Sequence, residues 1–216
     1  MRVFVSREPS QNEALRTLEE LPGVEWIEQS LIQIQAVPFD LPSPLPKWCF
    51  FSSPNAARTF FQSADKLDAS IAVMGEGTAK AIPPSHPIAF IGDGSTQDVA
   101  RTFSTVLGND QVLFPIGNRS NRTVQTSLPA DQVIDLQCYS TELTSSSIPK
   151  CDVYFFTSPS NVESFAASNR FQPSALHLAM GELTRKALEK LGVNAIMPEN
   201  YSSQACWNAI FSRFHS

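Results

Sequence analysis

The chain contains one short phrase twice. Phe50-Phe51-Ser52-Ser53-Pro54-Asn55 returns as Phe155-Phe156-Thr157-Ser158-Pro159-Ser160, an offset of 155 − 50 = 105 positions. Met74-Gly75-Glu76-Gly77-Thr78-Ala79-Lys80-Ala81 returns as Met180-Gly181-Glu182-Leu183-Thr184-Arg185-Lys186-Ala187, an offset of 180 − 74 = 106. Weaker echoes pair Ser95-Thr96-Gln97 with Ser202-Ser203-Gln204, and Val3, Asn12 and Leu15 with Val112, Asn121 and Val124. Offsets that drift by a few residues are what loop insertions produce. The chain therefore reads as two copies of one unit, with a period too long and a copy number too low for a solenoid.

Each copy alternates strand, turn and helix. Trp48-Cys49-Phe50-Phe51 and Cys151-Asp152-Val153-Tyr154-Phe155-Phe156 are short apolar runs suited to strands buried on both faces of a parallel sheet. Ser53 and Ser158 follow as N-caps, with Pro54 and Pro159 at the first helical position. Ala56, Ala57, Phe60 and Phe61 then fall at helical spacing, as do Val162, Phe165 and Ala166. Further strands are expected at Ala69–Met74, Pro87–Ile91 and Val112–Phe114, and further helices at Glu76–Ile82, Thr96–Leu107 and Ser120–Leu128. The fold class is α/β: two similar domains, each a parallel sheet flanked by helices.

Two stretches read as linkers, Val37–Pro46 and Thr144–Pro149, both rich in Pro or Ser. They precede the same point of the two copies. Two crossings make the middle of the chain one domain and join both ends into the other. The expected division is 1–36 plus 147–216 as an outer domain and 42–136 as an inserted one. Residues 37–41 and 137–146 serve as connectors, with Leu31–Ala36 and Val133–Tyr139 side by side.

Composition narrows the function. Sixteen Lys+Arg against 21 Asp+Glu give a net charge of −5, which argues against a nucleic-acid binder. No apolar run approaches a membrane span, and Met1–Val5 is too short for a signal peptide. The four cysteines, Cys49, Cys138, Cys151 and Cys206, form no C-x-x-C pair and have no histidine at metal-ligand spacing, so buried free thiols are expected. Nine glycines leave no P-loop, and Gly92-Asp93-Gly94-Ser95 lacks the third glycine of a dinucleotide fingerprint. His86, His177 and His215 are isolated. What remains is the helix terminus at the carboxyl end of a strand, where free N–H groups favour anions. Such ends are expected at Ser53 and Ser158, and again near Thr78, Ser95, Thr184 and Ser202; plain N-capping is the alternative reading. Facing domains would aim several of them into one cleft. Arg7, Arg119 and Arg122 follow corresponding strands as candidate cations.

The phrases at Phe50–Ala56, Ala72–Ala79, Cys138–Thr141, Phe155–Ser160 and Met180–Thr184, with Pro198-Glu199-Asn200-Tyr201-Ser202-Ser203 before a final helix, resemble the uroporphyrinogen-III synthase family in order and spacing. The resemblance implies two α/β domains joined by a two-stranded connector. It implies a cyclising lyase that acts on hydroxymethylbilane, a linear tetrapyrrole with carboxylate side chains, held in the interdomain cleft. The product is uroporphyrinogen III with ring D inverted and water lost, with no cofactor and no metal. A monomeric, cytoplasmic enzyme is expected, without nucleic-acid or membrane partners. Tyr139 matches the family's connector tyrosine and is the candidate catalytic residue. Arg7, Ser53, Asn55, Thr78, Ser158, Ser160, Thr184 and Ser202 are the candidate substrate-binding residues. A non-catalytic ligand-binding or sensor protein of the same fold is the alternative. The chain departs from the pattern at Ser52, at Met74 and Met180, and at Ser6-Arg7-Glu8-Pro9, where Glu8 sits beside the arginine.

Overall fold

The computed structural model describes residues 1–9, 23–64, 66–93 and 95–198, together with 205, 208 and 209. The chain divides into two compact units, Met1–Gln33 with Glu142–Ser216, and Ile34–Thr141. In the continuous unit the elements are β3 (Ile32–Ala36, which begins in the other unit), β4 (Trp48–Phe51), α1 (Pro54–Ser63), β5 (Ser70–Val73), the single turn α2 (Glu76–Ala79), β6 (Ile88–Ile91), α3 (Thr96–Leu107), β7 (Val112–Gly117) and β8 (Val133–Leu143). Its sheet has the order β3-β8-β7-β4-β5-β6. The discontinuous unit takes β1 (Arg2–Val5) and β2 (Glu25–Glu28) from one end of the chain. From the other it takes β9 (Val153–Phe156), α4 (Pro159–Ser168), β10 (Leu176–Ala179) and α5 (Glu182–Glu189). Its sheet has the order β10-β9-β1-β2, and every pair in it is parallel.

The repeat is a structural one. Phe51 pairs with Val73 and Phe156 with Ala179, which are the same register under the 105 and 106 offsets. Trp48 pairs with Val112 and Val153 with Val3, so the offset of 109 holds as well. The order β5-β4-β7-β8 thus corresponds to β10-β9-β1-β2, with the last two strands of the second copy supplied by the N-terminal end.

Two-sided burial explains why these runs are strands. Trp48 and Phe50 pack with Phe103 of α3 on one face, while Cys49 and Phe51 pack with Phe60 of α1 on the other. In the discontinuous unit Phe4, Tyr154 and Phe156 pack with Phe165 of α4, and Val3, Val5, Val153 and Phe155 fill the opposite face. Gly92, directly after β6, allows α3 to close on the sheet. A methyl there would fall 2.5 Å from Met74 O and 2.6 Å from Val99 Cγ1. The half-matched glycine motif is thus a packing device in this fold.

Three expectations are corrected. Val37–Pro46 is no free linker: Phe39 stacks on Phe60 at 5.2 Å, Leu45 joins the same core and Pro46 is buried. Thr144–Pro149 is likewise tied down, by Ser164 Oγ on Thr144 O, by the Asn169 amide on Ser146 O and Ile148 N–H, and by burial of Ile148. The two units divide at Gln33/Ile34, within β3, and at Thr141/Glu142, within β8 and inside the expected connector 137–146. Residues 120–128 form no α-helix; Arg122 has φ 51° and only a 3-10 turn follows at Gln125–Ser127. Polar residues surround Val124 and Leu128 there, too few apolar positions to drive a helix onto the sheet.

Cys49, Cys138 and Cys151 are buried free thiols, as expected; Cys206 lies outside the described residues. His177 is 5% exposed and stacks on Tyr154 at 5.5 Å, and burial lowers its pKa although a bond to the Ala175 backbone acts in the other direction.

This packing is testable at two positions. Gly92→Ala should lower stability by about 1–3 kcal/mol through overpacking, measured by chemical denaturation. A lowered His177 pKa means that the stability tied to the neutral ring is present above about pH 6.5 and lost as the pH falls through the folded value. Thermal midpoints should fall on acidification over that range, and His177→Phe should flatten the dependence.

Candidate functional site

Each sheet reverses strand order once, between β4 and β7 in one unit and between β1 and β9 in the other. Ligands of open α/β sheets bind outside the carboxyl ends at such a switch point. Most of the described candidates lie at or just beyond the carboxyl ends of strands, unit by unit.

In the continuous unit Ser53 caps α1, its Oγ accepting from Ala56 N–H at 3.2 Å, while its carbonyl accepts from Ala57 N–H. Pro54 has no N–H to satisfy, and the N–H of Asn55, in the first turn, has no intrahelical acceptor. Tyr139 comes from β8, two strands away, and its hydroxyl lies 3.5 Å from Ser53 Oγ. Burial pushes the phenol's pKa up, the bond to Ser53 opposes this, and the phenol remains a proton donor at neutral pH. Thr78 belongs to the turn that follows β5; its N–H donates to Gly75 O and the residue is buried.

The discontinuous unit repeats the plan. Ser158 caps α4 by accepting from Asn161 N–H at 3.3 Å and from Asn161 Nδ2 at 2.9 Å. Ser160 holds the place of Asn55. Thr184 is buried in the first turn of α5, whose N-cap Gly181 supplies no side-chain oxygen. Arg7 follows β1, with Nη2 3.4 Å from Met180 Sδ. The neighbouring Glu8 carboxylate accepts from Ser30 N–H at 3.1 Å. Ser6 and Thr157 lock the ends of β1 and β9 together, with Thr157 N–H donating to Ser6 Oγ and Thr157 Oγ1 to Ser6 O. Ser202 lies outside the described residues.

Two expected anion sites are already occupied by the chain. Asp98 completes a capping box on Ser95, accepting from both its N–H and its hydroxyl, so the α3 terminus carries its own carboxylate. Arg122 pairs with Asp135 at 2.7 Å. Asp98 stands at the Ser-x-x-Asp spacing of a capping box, whereas nothing in the spacing marks Asp135, thirteen positions on from Arg122, as its neighbour. Sequence reasoning also missed Asn161, which joins the Ser158 cap to Leu31 N–H at 2.8 Å, and Gly117 and Asn118 beside Tyr139.

Two hollows lie elsewhere. One of about 520 Å³ is lined by Lys47, Ser70, His86 and Ile88, near the amino ends of β5 and β6. One of about 810 Å³ is lined by Phe171, His177, Val193 and Ile196. The carboxyl edges outrank them as candidate sites because the polar residues converge there. Among the described residues no His/Cys/Asp/Glu group could hold a metal ion, and no helix is long and apolar enough to cross a membrane.

These features define a duplicated α/β protein with a polar, helix-terminated carboxyl edge on each sheet. The family model described as uroporphyrinogen-III synthase HemD matches residues 13–208. The chain belongs to the uroporphyrinogen-III synthase family. A crystal structure of uroporphyrinogen-III synthetase from Helicobacter pylori 26695 is similar in fold, with TM-score 0.70 and 16% identity over 99% of this chain and 100% of that one. A mutant uroporphyrinogen III synthase from the extremely thermophilic bacterium Thermus thermophilus gives TM-score 0.62 and 16% identity over 99% and 98%. Comparison with curated proteins gives no match.

The capping geometry predicts that Ser53→Ala and Ser158→Ala each lower stability by about 1 kcal/mol, read from denaturant midpoints at unchanged slope.

Proposed function

We propose that the chain converts hydroxymethylbilane to uroporphyrinogen III with inversion of ring D and loss of water, as a monomeric cytoplasmic enzyme without metal or cofactor. The observation that carries this reading is the family match across residues 13–208. The chemistry of the two edges supports it.

An electron-rich pyrrole expels its hydroxymethyl oxygen readily once that oxygen is protonated, so little acid–base machinery is required. Tyr139 donates the proton to the leaving hydroxyl, and water departs. Ring D attacks the resulting cation through its substituted carbon, giving a spiro intermediate that fragments and recloses. A proton lost from the pyrrole on rearomatisation restores the phenol. What the protein must add is positioning, which favours the inverted closure over the simple one. Arg7, the Ser53–Asn55 and Ser158–Ser160 turns, Thr78, Thr184 and Ser202 are assigned to that task. The helix ends take substrate carboxylates through N–H groups and the helix dipole.

The test is to supply hydroxymethylbilane and separate the product isomers. Uroporphyrinogen III is expected; uroporphyrinogen I alone, the spontaneous product, would overturn the reading. Tyr139→Phe should lower turnover by about 10²-fold, within the usual range for proton transfer, at an unchanged thermal midpoint. Undiminished turnover would remove Tyr139 from the mechanism.

A further inference from the structure

We propose that Gly117 and Asn118 are the positioning pair that holds the Tyr139 hydroxyl beside the Ser53 cap of α1. The catalytic half of this inference rests on the proposed reaction; the structural half does not.

The geometry begins in the strand register. β7 and β8 pair regularly from Val112↔Val133 to Ile116↔Gln137, and then slip, so that Gly117 stands opposite Tyr139. Cys138 is the extra residue of this bulge. In a regular strand, successive side chains alternate faces, and Tyr139 would turn away from the face that Ile134, Leu136 and Cys138 share. Here Tyr139 packs with those three against the cluster that contains Ala56, Ala57 and Phe60 of α1. The bulge has re-aimed one side chain.

Re-aiming brings the ring across the end of β7, and that position must be empty of side chain. A methyl on Gly117 would lie 2.5 Å from Cζ of Tyr139, and closer still to Cε2. Any other residue at 117 displaces the ring or the strand. Asn118 fixes the backbone that carries the ring. Its N–H donates to Tyr139 O at 3.3 Å, and its Oδ1 accepts from Thr141 N–H at 2.9 Å. One residue clears the space and the next pins β8 at Tyr139 and two residues beyond it. Both act on the hydroxyl through the placement of Tyr139.

The deciding experiment compares wild type, Gly117→Ala, Asn118→Ala, Tyr139→Phe and the Gly117→Ala/Tyr139→Phe double variant. Tyrosinate absorbance is titrated with pH, and the Tyr139 component is the one lost in Tyr139→Phe; Tyr154 and Tyr201 are common to all five proteins. In wild type this component titrates above the ordinary tyrosine value of about 10. Gly117→Ala and Asn118→Ala are expected to bring it down toward that value. Gly117→Ala should lower turnover about as far as Tyr139→Phe does, and should cause no further loss in the Tyr139→Phe background. A purely structural glycine would lower turnover by the same factor in both backgrounds, and that result overturns the proposal. So does an unchanged Tyr139 titration in both single variants. If Gly117→Ala fails to fold, Asn118→Ala, which adds no atom, decides by the same titration and by the same comparison with and without the Tyr139 hydroxyl. The titration needs no substrate, so it judges the positioning even if product analysis overturns the reaction.

Discussion

The rest of the structure depends on burying both faces of two strands. β4 and β9 consist of four residues each, and none is more than 8% exposed. A strand without a polar face cannot stand at a solvated surface, so each sheet must carry cover on both sides, and parallel crossovers provide it. The crossover fixes polarity as well. Every strand end that leads into a helix does so at the same edge, and Ser53 and Ser158 lie there because Phe51 and Phe156 end the strands before them. The site's position is therefore a consequence of core packing. Truncating any of the paired phenylalanines would remove about 3–5 kcal/mol and would loosen the turn that follows.

Much of this was legible in the sequence because it is local or periodic. The repeat offsets reappear as strand register, α3 spans the residues its apolar spacing indicates, and both Ser-Pro caps form as written. Two of the expectations that failed depended on partners distant in sequence. The proline run at 37–46 has linker composition, yet Phe39 finds Phe60 to stack on. Arg122 looked like a cation for ligands, but Asp135 claims it across the β7–β8 connection. Ser95 looked like an anion site, yet its capping partner Asp98, a signal present in the sequence, was passed over.

The candidate site shows the same division. Serine caps announce themselves through Ser-Pro followed by helical spacing. Tyr139 came only through family resemblance, since a tyrosine in a strand signals nothing by itself. The slip that turns it toward α1 is invisible in sequence, because Gln137-Cys138-Tyr139 reads as ordinary alternation. Gly117 likewise reads as a strand end. Only the ring lying across it explains why no side chain fits.

The buried thiols carry a further consequence. Burial holds the Cys138 thiol up at about 12 and Cys151 at about 11, and places Cys49 well above its ordinary value. At neutral pH all three remain protonated and shielded, and thiol reagents reach them only when the chain opens. Cys49 and Cys138 belong to the continuous unit, Cys151 to the discontinuous one. With Cys206 replaced, the protein carries a native reporter of opening in each unit, and the labelling rate of Cys138 times how often the slipped strand comes apart.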